Sequence, residues 1–126
     1  MFDKDRVYSR TEIQSLVGGE IQTYLPQRNN RILAGCFNKE LNPNCPLQIQ
    51  AGSASKVIRK AELIISQPEN EFPVFTKPNK KSKDYRYIGV FKCTGGTNAP
   101  EILKEAEEKS GRFGQLSYVF DLEQLT

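Results

Sequence analysis

The stretch EFPVFTKPNKKSKDYRYIGVFKC, residues 71–93, decides the fold class. Its two ends, Glu71 to Thr76 and Asp84 to Cys93, are rich in aromatic and β-branched residues that suit a pleated, half-buried surface, and they predict two strands. Between them Lys77-Pro78-Asn79-Lys80-Lys81-Ser82-Lys83 predicts a loop, because Pro and Asn break regular structure and four lysines keep the segment in water. Along the second strand Tyr85, Tyr87, Gly89, Phe91 and Cys93 fall on one side, and Arg86, Ile88, Val90 and Lys92 on the other. Residues 77–86 hold five cations (Lys77, Lys80, Lys81, Lys83 and Arg86) against Asp84 alone, a larger surplus than the +3 of the whole chain.

Upstream, Ser9 and Glu12 have the capping-box spacing, with Tyr8 and Ile13 placed as a hydrophobic staple. They predict a helix over 10–17 that Gly18-Gly19 stops. Residues 20–25 and 31–37 predict a two-strand hairpin turned by Asn29-Asn30, 38–46 a loop, and 47–50 a short strand with Leu47 and Ile49 on one face. A helix capped by Ser53 follows, with Ala54, Val57, Ile58 and Ala61 on its apolar side and Lys56, Arg59 and Lys60 opposite. Leu63-Ile64-Ile65 fits either its end or the start of a buried strand. Downstream, Thr94-Gly95-Gly96-Thr97 predicts a turn, Pro100 opens a last helix that Ser110-Gly111 ends, and 115–122 alternates as a final strand. Strands and helices do not alternate as a doubly wound parallel sheet requires. The order predicts one α+β domain over residues 1–126, built on a curved, barrel-like, mostly antiparallel sheet with flanking short helices.

Composition removes much chemistry. With 126 residues and no histidine, Ser-His-Asp and Cys-His catalysis and His-bearing zinc sites are excluded. Cys36, Cys45 and Cys93 are an odd number without C-x-x-C spacing, which predicts reduced packing thiols and no metal site. Glu101, Glu105 and Glu108 alternate with Lys104 and Lys109 as a solvated helix face. No nucleophile stands beside a base, so the expectation is a binding module with no catalytic residue and no cofactor. No long apolar run or signal-peptide core opens the sequence, which predicts an intracellular protein, cytoplasmic or nucleoid-associated, away from membranes.

The basic loop, joined by Lys56, Arg59 and Lys60 of the helix face and by Arg28 and Arg31 around the first hairpin, suits contact with a phosphate backbone. A solvated loop whose lysines discourage edge-to-edge strand pairing accounts for the same residues. The aromatic row fits either base stacking or a half-buried core, with Tyr85, nearest the loop, expected to be exposed. Asn42 and Asn44 read as residues that hold their own loop through side-chain turns.

Taken in order, Arg31 to Phe37, Asn42 to Pro46, Ile49 to Gly52, Phe72 to Lys77, Tyr85 to Phe91 and Tyr118 to Leu122 resemble the PUA-like superfamily, particularly the SRA-like domains of modification-dependent restriction systems. The resemblance implies a barrel-like sheet that binds double-stranded DNA and draws a modified base into an aromatic pocket. By place in that pattern, Phe37, Asn38 and Tyr85 would form the pocket and Asp84 would read the base. Cleavage would belong to a nuclease domain or subunit elsewhere. An RNA-binding module of similar fold and a protein-interaction domain are the alternatives.

Overall fold

Residues 71–97 form the centre of the molecule in a computed structural model that describes residues 2–126. Strands β6 (Glu71–Lys77) and β7 (Tyr85–Thr97) pair antiparallel around the lysine loop. Before them the chain makes β1 (Val7–Tyr8), α1 (Arg10–Val17), β2 (Gln27–Arg28), β3 (Arg31–Ile32), β4 (Gly35–Asn38), β5 (Gln48–Gly52) and α2 (Ser55–Ile65). After them come α3 (Pro100–Ser110) and β8 (Leu116–Gln124). The main sheet runs β4-β6-β7-β8-β5 with β1 also on β7, and β2 and β3 form a separate hairpin. It is mixed: β4 and β6 are parallel, and the other ladders are antiparallel. The fold is α+β, and no closed barrel forms among the described residues, since β4 and β5 are edges.

Local signals set the helix ends. Ser9 Oγ accepts the Glu12 amide while Glu12 accepts the Ser9 amide, and the buried Tyr8 and Ile13 pack in one cluster. Asn29 and Asn30, at φ 52° and 63°, make the two-residue turn between β2 and β3, a backbone form Asn tolerates. Residues 20–25, expected as a strand, form none. The Arg10 guanidinium holds the Glu20 and Thr23 carbonyls and Lys60 the Leu25 carbonyl, while the Tyr24 carbonyl accepts the Cys36 amide, so side chains stand in for most of a ladder there.

Other expectations also change. Ser53 does not cap α2, whose first turn has no side-chain cap; residues 63–65 are helical, and β5 begins at Gln48, leaving Leu47 60% exposed while Ile49 is buried. The expected turn at 94–97 is part of β7, where Gly96 lies against Ile65 and Phe120 too closely for a side chain.

The aromatic row of β7 does not share one face. Val74 pairs with Gly89 and Phe75 with Tyr87, so Ile88 is an extra residue, a bulge that exchanges the two faces. Tyr85 and Tyr87 therefore join Tyr8, Ile13 and Phe75, whereas Phe91 and Cys93 join Phe72, Ile64 and Phe120 in the larger core. Gly89 has φ 128°, and a Cβ there would come within 2.7 Å of the Thr126 carbonyl oxygen. Gly89→Ala is expected to cost about 1–3 kcal/mol from backbone strain. A urea midpoint well below wild type checks this, with Gly52→Ala, which has no left-handed backbone and whose nearest neighbour would be Arg112 Nη2 at 3.2 Å, as the milder control.

Candidate nucleic-acid interface

Strands β4 and β5 stand at opposite ends of the sheet order, yet both line one groove of about 1110 Å³. Asn42, 6% exposed, spans them: its amide Nδ2 donates to the Asn38 carbonyl of β4 and its Oδ1 accepts the Gln50 amide of β5, at 2.8 and 2.7 Å. A buried amide with both ends satisfied fixes its two partners relative to one another. The loop-holding role expected of Asn42 thus extends to joining two strand edges. The groove's other wall is α2 and the irregular segment before β2.

Phe37, Tyr24, Val57 and Leu63 supply its apolar surface. Phe37 is 1% exposed and belongs to the core. Tyr24 is half-buried, donates its hydroxyl to the Val57 carbonyl, and has its pKa pushed up by burial, so it stays a neutral phenol. Lys56 and Arg59 stand exposed at the rim, with no ion pair among the described residues. Arg112 donates through Nη1 to the Leu41 and Gln50 carbonyls, and burial pulls its pKa below the usual range. Lys60 was expected beside Lys56 and Arg59; instead it is buried, bonded to the Glu20 carboxylate and the Leu25 carbonyl, each at 2.7 Å.

Of the four expected pocket residues, the groove receives two, Phe37 and Asn38. Asn38 is half-buried, and its Oδ1 accepts the Glu40 amide. Asp84 and Tyr85 lie elsewhere. Asp84 is exposed at the end of the lysine loop. Tyr85, expected to be exposed, is 7% exposed, because pairing with Tyr8 carries it under α1. It lines a second, smaller cleft instead.

The cations predicted in the lysine loop and the first hairpin lie in two separate elements, and none of them lines the groove itself. Lys80, Lys81, Lys83 and Arg86 are exposed, and the Lys77 ammonium stands 5.1 Å from the centre of the Tyr85 ring. Asn79 Oδ1 accepts the amides of Lys81 and Ser82 and so shapes the loop. Arg28 and Arg31 are exposed and face each other across the β2–β3 hairpin. Lys77 pairs with Asn38, and Gln27 and Asn30 of the hairpin line the groove, so both basic elements adjoin it. Tyr24, Arg112 and the bridging role of Asn42 were missed: Tyr24 sat in a supposed strand, and Arg112 follows a helix stop without a motif of its own.

Cys36, Cys45 and Cys93 are free thiols. Burial pushes Cys36 up to about 12 and Cys45 to about 11, so they pack as protonated groups. Glu105 pairs with Lys109 on the α3 surface. Among the described residues no group of three or more His, Cys, Asp or Glu side chains is arranged to hold a metal, and no helix is long and apolar enough to cross a membrane. No family model matches the chain. No curated protein and no solved structure matches it either.

Proposed function

We propose that the chain is a non-catalytic nucleic-acid-binding module, of the PUA-like and SRA-like kind, that takes a base of double-stranded DNA, by preference a modified one, into the β4–β5 groove. The observation that carries this reading is the groove itself: about 1110 Å³, with an aromatic and aliphatic floor, a half-buried amide and basic elements beside it. Sites for small organic ligands run to about 300–1,000 Å³, and the groove, just above that range, has room for a nucleotide. The Asn42 bridge between the two edges supports a strongly curved sheet of the barrel-like kind. Tyr24 replaces Tyr85 as the ring against which a base lies, and Asn38 reads the base edge with its amide. Lysines 77, 80, 81 and 83, with Arg28, Arg31 and Arg86, position phosphates and carry no sequence information. Any strand cleavage falls to another domain or partner.

The test is a binding titration over salt concentration with modified and unmodified duplexes, and with single-stranded and structured RNA alongside. Affinity is expected to fall steeply with salt and to favour a modified duplex. Tyr24→Ala is expected to cost about 1–3 kcal/mol of that affinity. Charge reversal at Lys80, Lys81 and Lys83 together should abolish binding without unfolding an exposed loop. Tighter binding to RNA would move the module to that class, and no binding to any duplex at low salt would sink the reading.

A further inference from the structure

The cleft that took Tyr85 has a chemistry of its own. Its volume is about 440 Å³, and Arg10, Thr11, Gln22, Thr23, Cys36 and Tyr85 are among its walls. Arg10 is half-buried at the start of α1. Its Nη2 donates to the carbonyls of Glu20 and Thr23, at 2.9 and 3.3 Å, which fixes the guanidinium plane. Its Nη1 is shielded from water and has no hydrogen-bond partner among the described residues. A guanidinium is always charged, and with Nη2 spent on two carbonyls and Nη1 without an acceptor that charge has no counter-ion beside it, so an anion in the cleft would offset it. No carboxylate lines the cleft to neutralise that charge.

Two neighbours strengthen the selection. The Lys77 ammonium stands over the Tyr85 ring and adds a second positive charge nearby. Burial first, then Cys36, pushes the Tyr85 hydroxyl up, and the Arg10 charge opposes this without reversing it, so Tyr85 offers a neutral O–H. A fixed guanidinium, a phenol and threonine hydroxyls, with an ammonium close by, form a donor-rich set suited to a tetrahedral oxyanion.

We infer that the Arg10–Tyr85 cleft binds a phosphate-class oxyanion, drawn by the charge of Arg10 and taking a hydrogen bond from the Tyr85 hydroxyl. The inference stands whether or not the β4–β5 groove holds a base. Free phosphate and a backbone phosphodiester share this chemistry, and two probes separate them. The full chain, labelled with ¹⁵N, is titrated with inorganic phosphate and separately with the dinucleotide dTpdT, with chloride at matched ionic strength as control. Saturable shifts of the Thr11, Gln22 and Thr23 amides are expected with at least one probe and not with chloride. Saturation by phosphate alone assigns a free oxyanion; saturation by dTpdT assigns a backbone contact. Arg10→Gln should weaken the responding probe roughly tenfold to a hundredfold, and Tyr85→Phe, which keeps the ring under Lys77, roughly threefold to tenfold. If Arg10→Gln fails to fold, Tyr85→Phe decides alone. No saturable shift with either probe, or unchanged affinity in the folded variants, would overturn the inference.

Discussion

Phe37→Ala is expected to lower the stability of the protein by about 3–5 kcal/mol, the range for truncating a buried aromatic side chain. The ring is 1% exposed and packs in the cluster that includes Leu25, Ile32, Ile64 and Phe72. It also folds back across its own strand: a Cβ at Gly35 would come 2.6 Å from Phe37 Cζ, so the glycine two residues earlier leaves the space the ring fills. Truncation therefore opens a cavity that neighbours on three elements cannot close without moving. Guanidinium unfolding should show a lower midpoint with an unchanged slope, which marks lost stability rather than an altered unfolded state. The result bears on function as well. Phe37 lines the groove, but as floor, so Phe37→Leu, which keeps the fold, should leave nucleic-acid affinity unchanged while Tyr24→Ala reduces it. An equal loss in both would make Phe37 a contact residue, the pocket role that the resemblance implies for it.

What was legible in the sequence is what residues three or four apart settle between themselves. The Ser9–Glu12 box, the Asn29-Asn30 turn and the Gly111 stop each close a hydrogen-bonding requirement within one turn of chain, and each lies where the pattern placed it. The face exchange in β7 was not legible, because period-two counting assumes an unbroken ladder. An extra residue such as Ile88 is a property of two paired strands, and β7 alone does not reveal which residue lacks an opposite. Tyr85 was misplaced for that reason and because β1, two residues long, was not foreseen. The parallel pairing of β4 with β6 spans β5 and α2, so no local signal announces it. The groove follows from that pairing and from Asn42, whose two partners are twelve residues apart in sequence and on opposite edges of the sheet. Of the four residues expected together, Phe37 and Asn38 share the groove because they are neighbours on one of those edges, whereas the place of Tyr85 depended on where β7 turns over.

Lys60 is the residue whose type misled most, and its replacement is the second large effect expected. It lies three residues after Val57 and four before Ile64, squarely on the buried stripe of α2, yet its charge suggested solvent. The ammonium is held by the Leu25 carbonyl inside and the Glu20 carboxylate outside, and so ties the wall segment 20–25 to α2. Lys60→Met keeps the aliphatic stem but leaves the carbonyl of the wholly buried Leu25 without a donor, a loss of about 1–3 kcal/mol. Glu20→Gln is expected to cost less, because that side chain is 45% exposed and water screens the pair. Its signature is in acid. Partial burial pushes the Glu20 carboxyl up, but the hydrogen bond from Lys60, backbone amides and the Lys60 charge outweigh it and hold the group at about 2, against an ordinary 4.5. A depressed carboxyl stabilises the fold above its unfolded value, and that contribution is lost as pH falls from about 4.5 through about 2. Unfolding free energies measured across that window should fall less steeply for Glu20→Gln than for wild type, with the two curves furthest apart at neutral pH. Parallel curves would mean that Lys60 holds the segment through Leu25 alone, and a larger loss in Glu20→Gln than in Lys60→Met would reverse the assignment of which bond carries the tie.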